Sequence, residues 1–248
     1  MTYARGATAS DMEAAARVKY TPANDNTPQD ESGQSAGFGI IPQPAFEGGQ
    51  YIGLTRKTNF TVKPPPRIGD FIQTYTARQY YPMDPRAEEV CLEDIAHSLS
   101  LQCRYAGHCI LFYSVAEHSV HIARWLRQHY GPLTALYGLL HDAPETYLVD
   151  VPRPVKPYLS NYKSIEASNW AAVAAKFGLP GLMPGAVHEA DTRIIGDELV
   201  NMRPMDWHAR YDDPLGVGIE CWSPAVAEAE FLAMFATLDK LTKKERVV

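Results

Sequence analysis

The stretch Leu133-Thr-Ala-Leu-Tyr-Gly-Leu-Leu-His141-Asp142-Ala-Pro-Glu145 decides the reading of this chain. Leu136, Leu139 and Leu140 recur at helical spacing, so the run reads as a helix with a buried face. Gly131-Pro132 just before it ends whatever helix precedes. The apolar face leads directly into an imidazole and a carboxylate. An ionised carboxylate buried alone is very costly, so Asp142 needs a cationic partner or a metal ion.

Two further helices repeat this pattern. Ser114-Val-Ala-Glu117 is a capping box of the S-x-x-E type and opens a helix through about His129. On it, His118 sits among Val115, Ile122 and Leu126, which follow helical spacing. Val187 to Met202 reads as another helix, in which Val187, Ile194 and Ile195 share a face and Asp191 lies four residues after Val187. Each residue taken singly has an ordinary explanation. A lone histidine on an apolar face is usually hydrogen-bonded core. Asp142-Ala-Pro-Glu145 matches a D-x-x-E cap with proline in the first turn, and Asp191 could pair with Arg193 or another cation. Taken together, two histidines and two aspartates from three helices have the composition of a divalent metal site inside a bundle.

Around these helices the reading is that of a mostly α-helical bundle. Leu92 to Cys103, Tyr162 to Phe177 (closed by Gly178) and Pro224 to Leu241 are further helices. Phe71-Ile-Gln-Thr-Tyr-Thr76 is a short strand or hairpin arm near the start. Residues 1–67 read as a flexible N-terminal arm, with a short helix from Met12, a polar stretch from Thr21 to Gly49 and the stiff Pro64-Pro65-Pro66 as boundary. Residues 68–248 form the packed domain.

Composition limits the function. The 248 residues are 46% hydrophobic and 21% charged, which is ordinary for a globular domain. A net charge of −6 without basic clusters argues against binding a nucleic acid polymer along a broad face. No apolar run approaches the roughly 18 residues that span a bilayer, and no secretory leader is visible. The four cysteines form no C-x-x-C pair, which suits reduced thiols and a cytoplasmic setting.

At the polar positions the sequence resembles the HD-domain metal-dependent phosphohydrolases, whose pattern is H…HD…D. Here it reads His118, His141-Asp142 and Asp191, with intervals of 23 and 49 residues, each motif on its own expected helix. The likeness runs from about Phe71 to Met202. It is closest to the small bacterial 5′-deoxyribonucleotidases and the phage enzymes that strip triphosphate from dATP. In these the pattern continues as HD-x-x-E-x(4)-D-x-P-x-P-x-K, matched by Glu145, Asp150, Pro152, Pro154 and Lys156. The resemblance implies an HD-domain helical bundle that hydrolyses phosphate esters of (deoxy)nucleotides. The reaction would be either 5′-monophosphate to nucleoside, or dNTP to nucleoside plus triphosphate. The alternatives are a cyclic or signalling-nucleotide phosphodiesterase, or a non-catalytic nucleotide-binding module. It implies a divalent transition metal (Zn, Mn, Co, Fe or Ni) held by His118, His141, Asp142 and Asp191, and leaves open a second metal near Asp150. Glu145 and Asp150 would orient or activate water. Arg104 and Lys156 would contact phosphate and Tyr105 the sugar or base, with Tyr105 standing where some members carry tryptophan. Arg78 and Gln73 are candidates for the pocket rim. Related bundles often pair, which implies a homodimer.

The chemistry needs these residue types. A phosphate ester is an anion that repels hydroxide, and a bound divalent cation offsets that repulsion and acidifies water. Two aspartates balance the ion's charge, and Glu145, four residues after His141, faces the same pocket if helix restarts through Pro144.

Overall fold

The structure is a computed structural model, and it describes residues 66–180 and 182–245. The protein is mostly helical, with one two-stranded antiparallel sheet near the start of the described residues. Strands β1 (Ile72–Gln73) and β2 (Gln79–Tyr80) pair Ile72 with Tyr80 and Gln73 with Gln79. The helices are α1 (Leu92–Leu101), α2 (Val115–Tyr130), α3 (Pro132–Leu140), α4 (Glu145–Leu148), α5 (Tyr162–Phe177), α6 (Gly185–Glu198) and α7 (Pro224–Glu245). Short 3₁₀ turns lie at Arg104–Gly107, Lys156–Tyr158, Leu199–Asn201 and Asp206–Arg210. The expected arm, with its helix from Met12 and its polar stretch, lies outside the described residues except at Pro66 and Arg67. Arg67 joins the packed domain through ion pairs to Asp84 (3.3 Å) and Glu89 (2.7 Å).

The helix signals act as expected at most ends. Ser114 caps α2 by accepting the Glu117 N–H at 3.0 Å. Gly131, at φ 86°, breaks the chain between α2 and α3, and Pro132 starts α3. Gly178 ends α5 in the left-handed conformation that lacks a Cβ penalty. Some details differ, among them α7, which runs past Leu241 to Glu245, and β1, which is confined to Ile72–Gln73. Helix α1 stops at Leu101, because Cys103 pairs in a β-bridge with Ser114. Helix α6 begins at Gly185 and its α-helical part ends at Glu198, tightening to 3₁₀ before Met202. The capping box at Ser114 is only half formed. The Glu117 carboxylate turns away from the helix start and accepts the backbone N–H groups of Glu220, Cys221 and Trp222 at 2.9, 2.8 and 2.6 Å.

The core sits where α2 packs on α3 and both pack on α7, with α1 and α6 alongside. Ile95, Leu99, Ile122, Leu126, Leu139, Leu140, Ile194, Phe231 and Leu238 are completely buried. Truncating any of these leucines to alanine would cost about 2–5 kcal/mol, the range for buried leucines. Gly138 sets the approach of the two helices that matter most for the site. A Cβ there would stand 2.4 Å from Leu126 Cδ1 and 3.0 Å from Ile122 Cγ2. The missing side chain thus lets α3, which leads to His141, lie close against α2, which carries His118. Among the described residues, no helix is long and apolar enough to cross a membrane. All four cysteines are free thiols.

Candidate metal centre and its cavity

His118 sits one turn into α2 and is completely buried. Its Nδ1 lies 2.7 Å from Glu198 Oε1, the last residue of α6. A carboxylate there is held ionised and can only accept, so Nδ1 carries the proton and the Nε2 lone pair is left facing the site. His141 closes α3 and repeats the arrangement. Its Nδ1 donates to the Gly138 carbonyl at 2.7 Å, so its Nε2 is the nitrogen that faces the site. Both Nε2 atoms are buried without a hydrogen-bond partner.

What faces these nitrogens is oxygen. His118 Nε2 is 3.6 Å from Asp142 Oδ2 and 3.2 Å from Asp191 Oδ1. His141 Nε2 is 3.2 Å from Asp142 Oδ1 and 3.8 Å from Asp191 Oδ1. Imidazole nitrogens this close to carboxylate oxygens need a positive charge between them, either a proton on the nitrogen or a metal ion. Ligand bonds of roughly 2.0–2.2 Å around one ion bring neighbouring donors to separations of this size. His118, His141 and Asp142 thus form a cluster that could hold a metal ion, and Asp191 stands against both imidazoles. The charges respond accordingly. Burial works against ionising His141, but Asp142 and Asp191 outweigh it and hold the imidazole well above its ordinary range. Burial likewise opposes ionisation of Asp142, yet His141 and His118 bring it down to about 2. Asp191 is held low by the same imidazoles. A metal ion would replace the proton that these carboxylates otherwise draw onto histidine.

An Asp142 cap and an Asp191–Arg193 pair are both absent, but Asp191 does pair with another cation. Asp142 caps nothing, since only its backbone carbonyl accepts the Glu145 N–H, and α4 starts without a side-chain cap. Asp191 does not pair with Arg193, which reaches Glu189 and Asp213 instead. Asp191 Oδ2 meets the exposed Arg153 at 3.2 Å, leaving Oδ1 for the imidazoles.

Glu145 begins α4 and is buried, with Oε2 unpartnered and Oε1 3.4 Å from Lys156 Nζ. Burial, then Asp142 and Asp150, push its carboxyl well above the usual range. Gln102 brackets Glu145 and Asp150. Its Nε2 donates to the Glu145 carbonyl at 3.0 Å and its Oε1 accepts the Asp150 N–H at 2.9 Å. Between them Val149 adopts φ 67°, ψ 151°. For a β-branched residue that conformation costs on the order of 1–3 kcal/mol, and it turns the chain sharply so that Asp150 follows directly into the cavity wall. Burial raises the Asp150 carboxyl, with Arg104 opposing.

Arg104 and Tyr105 reach the site but arrive already paired. Arg104 lies 3.2 and 3.3 Å from the two Glu198 oxygens and 3.7 Å from Asp142. The Tyr105 hydroxyl donates a short hydrogen bond to Glu198. Tyr105 and Ala106 are both left-handed, at φ 56° and 50°, so this turn is strained to present the pair. Lys156 bonds Glu166 at 3.0 Å besides approaching Glu145. Arg104, Tyr105, Asp142, Glu145, Asp150, Lys156 and Asp191 line one cavity of about 710 Å³, a volume in the range of small-molecule sites. Gln73 instead borders a separate hollow with His97 and Thr146, and Arg78 is not among the residues lining either cavity.

Glu198 is the residue that sequence reasoning missed. It is buried, held down to about 2 by Arg104 and His118 despite the cost of burial, and it orients His118, Arg104 and Tyr105 together. Its one trace in the sequence is its place seven residues, two helical turns, after Asp191. Gln102 left no such trace.

The fold and site therefore define a helical bundle with a candidate His/Asp metal centre at one cavity. No protein-family model matches the chain. The uncharacterized protein YfdR of Escherichia coli K12 is 38% identical over 128 residues, which cover 52% of this chain and 70% of YfdR. The chain belongs to the family of YfdR. The uncharacterized protein RCAP_rcc00048 of Rhodobacter capsulatus is 36% identical over 114 residues, 44% of this chain and 58% of that protein.

Proposed function

We propose that the protein is a metal-dependent phosphohydrolase of the HD superfamily that removes the phosphate of a nucleoside, most simply deoxynucleoside, 5′-monophosphate. The observation that carries this reading is the pair of imidazoles whose Nε2 atoms face carboxylate oxygens 3.2–3.8 Å away, next to a buried carboxylate with one oxygen untouched. His118, His141, Asp142 and Asp191 would hold the ion, and N/O donors suit Zn²⁺, Mn²⁺, Fe²⁺, Co²⁺ or Ni²⁺. When bound, the cation supplies positive charge to the phosphoryl oxygens and Lewis acidity to water.

The chain's own groups do the rest. Glu145 takes the proton of the attacking water as the water oxygen bonds to phosphorus. The ester P–O bond breaks with its electron pair on the sugar oxygen, which ends protonated as the nucleoside hydroxyl. Lys156 and the donors of Arg104 not held by Glu198 steady the phosphate, the first as a point charge and the second as a planar fork. Asp150 helps orient water. Release of triphosphate from a dNTP is the second reading.

The test is a screen of deoxy- and ribonucleoside mono- and triphosphates with Mn²⁺, Co²⁺ and Zn²⁺, with the released phosphate species identified. Chelator-sensitive release of orthophosphate from monophosphates is expected. Absence of metal-dependent turnover of every nucleotide would overturn the reading.

A further inference from the structure

Besides the motif run, Ile195, Met202, Trp207 and Tyr211 line the cavity, and three of the four lie beyond α6. The segment that follows α6 is built firmly onto the bundle. Asp197 accepts the backbone N–H groups of Leu215, Gly216 and Val217 at 2.8, 2.9 and 3.0 Å. Arg193 donates to the carbonyls of Asp213 and Pro214, each at 3.1 Å. Gly196 lets the segment press onto α6, because a Cβ there would stand 2.8 Å from the Tyr211 carbonyl oxygen. The indole of Trp207 is braced edge-to-face by Tyr211 (5.9 Å, 89°) and His208 (4.4 Å, 76°). An aromatic ring that is half-buried, held on two sides and set in the wall of a charged cavity is prepared for a flat partner.

We propose that Trp207, supported by Tyr211, is the stacking surface for the nucleobase of the substrate. This deepens the phosphohydrolase reading and rests on it for the phosphate end, and it assigns the base to Trp207 rather than to Tyr105, whose hydroxyl is held by Glu198. Stacking tolerates any base because every base has a π-face. Ile195, Met202, Trp207 and Tyr211 offer only the indole N–H and the phenol hydroxyl as polar groups, so base edges are read weakly. Preference follows ring size, purine over pyrimidine.

The experiment compares 2′-deoxyadenosine 5′-monophosphate with 2-deoxyribose 5-phosphate, which lacks the ring. Both Kd by calorimetry and steady-state kinetics are measured with Mn²⁺ for wild type, Trp207→Ala, Trp207→Leu and Trp207→Phe. Wild type should bind the nucleotide more tightly than the sugar phosphate. Trp207→Ala and the volume-preserving Trp207→Leu should weaken the nucleotide by about 10-fold, in KM more than kcat, and leave the sugar phosphate unchanged. Trp207→Phe should recover most of the difference. A structural role alone would shift both ligands together. If the nucleotide-to-sugar-phosphate ratio is the same in wild type and the ring-less variants, or if wild type shows no preference for the nucleotide, the stacking assignment is wrong even where phosphate is released. If the preference depends on Trp207 but no phosphate is released, stacking stands and the hydrolase reading falls.

Discussion

Glu117 and Asp197 fasten the segment between residues 213 and 222 to the bundle, and each carboxylate accepts three backbone N–H groups. Around the cavity, carboxylates that are buried (Glu145) or half-buried (Asp142, Asp191) are treated differently. Glu145 keeps an oxygen without a partner, and Asp142 and Asp191 face imidazole nitrogens. A buried carboxylate whose acceptor sites are filled by fixed donors is structural, because burial has been compensated inside the fold. One left partly unfilled holds its cost in reserve for a proton, a cation or a substrate. The difference between the two regions separates structure from chemistry more sharply than burial does.

The contrast can be broken most decisively at Glu145. Glu145→Gln should keep its metal content and lose turnover by about 10²–10⁴-fold, the usual range for removing a general base. Turnover at the wild-type rate would erase the distinction. Because burial raises the Glu145 carboxyl in the folded, metal-free protein, the folded state binds its proton more tightly than the unfolded chain. Stability therefore falls as pH rises from the unfolded value near 4.5 towards the folded one. In chelator, Glu145→Gln should melt above wild type at neutral pH and converge with it in acid.

Glu117→Ala should do the reverse. It strands three backbone donors at residues 220–222 and should lower stability by about 3 kcal/mol in denaturant titration, with the metal still bound. A smaller effect is expected where the two regions meet. Glu198 is saturated by His118, Arg104 and Tyr105, yet it acts on the site by orienting a ligand. Glu198→Gln should weaken metal affinity by about 10–100-fold in competition with a chelator, and unchanged affinity would place Glu198 with the purely structural carboxylates. The smallest effect belongs to the surface pair Lys243–Asp239 on α7, at 2.7 Å and largely exposed. Lys243→Ala should change stability by no more than about 0.5 kcal/mol and leave metal binding alone.

Much of the bundle was legible before the structure. The end of α5 follows from Gly178, and the start of α2 follows from Ser114. His118, His141 and Asp142 were legible because polar groups stood out on apolar stripes. Glu117 was read as half of a capping box and proved to be a fastener for residues 220–222, so a local pattern can single out a polar residue without saying what fills it. Trp207 and Tyr211 had no periodic context at all, since the segment after α6 is held by bonds to distant helices.

The sequence by itself determined the helices, their ends and which of them bear imidazole or carboxylate on a buried side, because these depend on neighbours one to four residues away. The tertiary structure alone decided which carboxylates are satisfied, that Glu198 fixes the His118 tautomer across 80 residues, and that Trp207 shares a cavity with Lys156. Those outcomes depend on distances between helices, and such distances are set by packing, as at Gly138 against Leu126, where no local pattern records them.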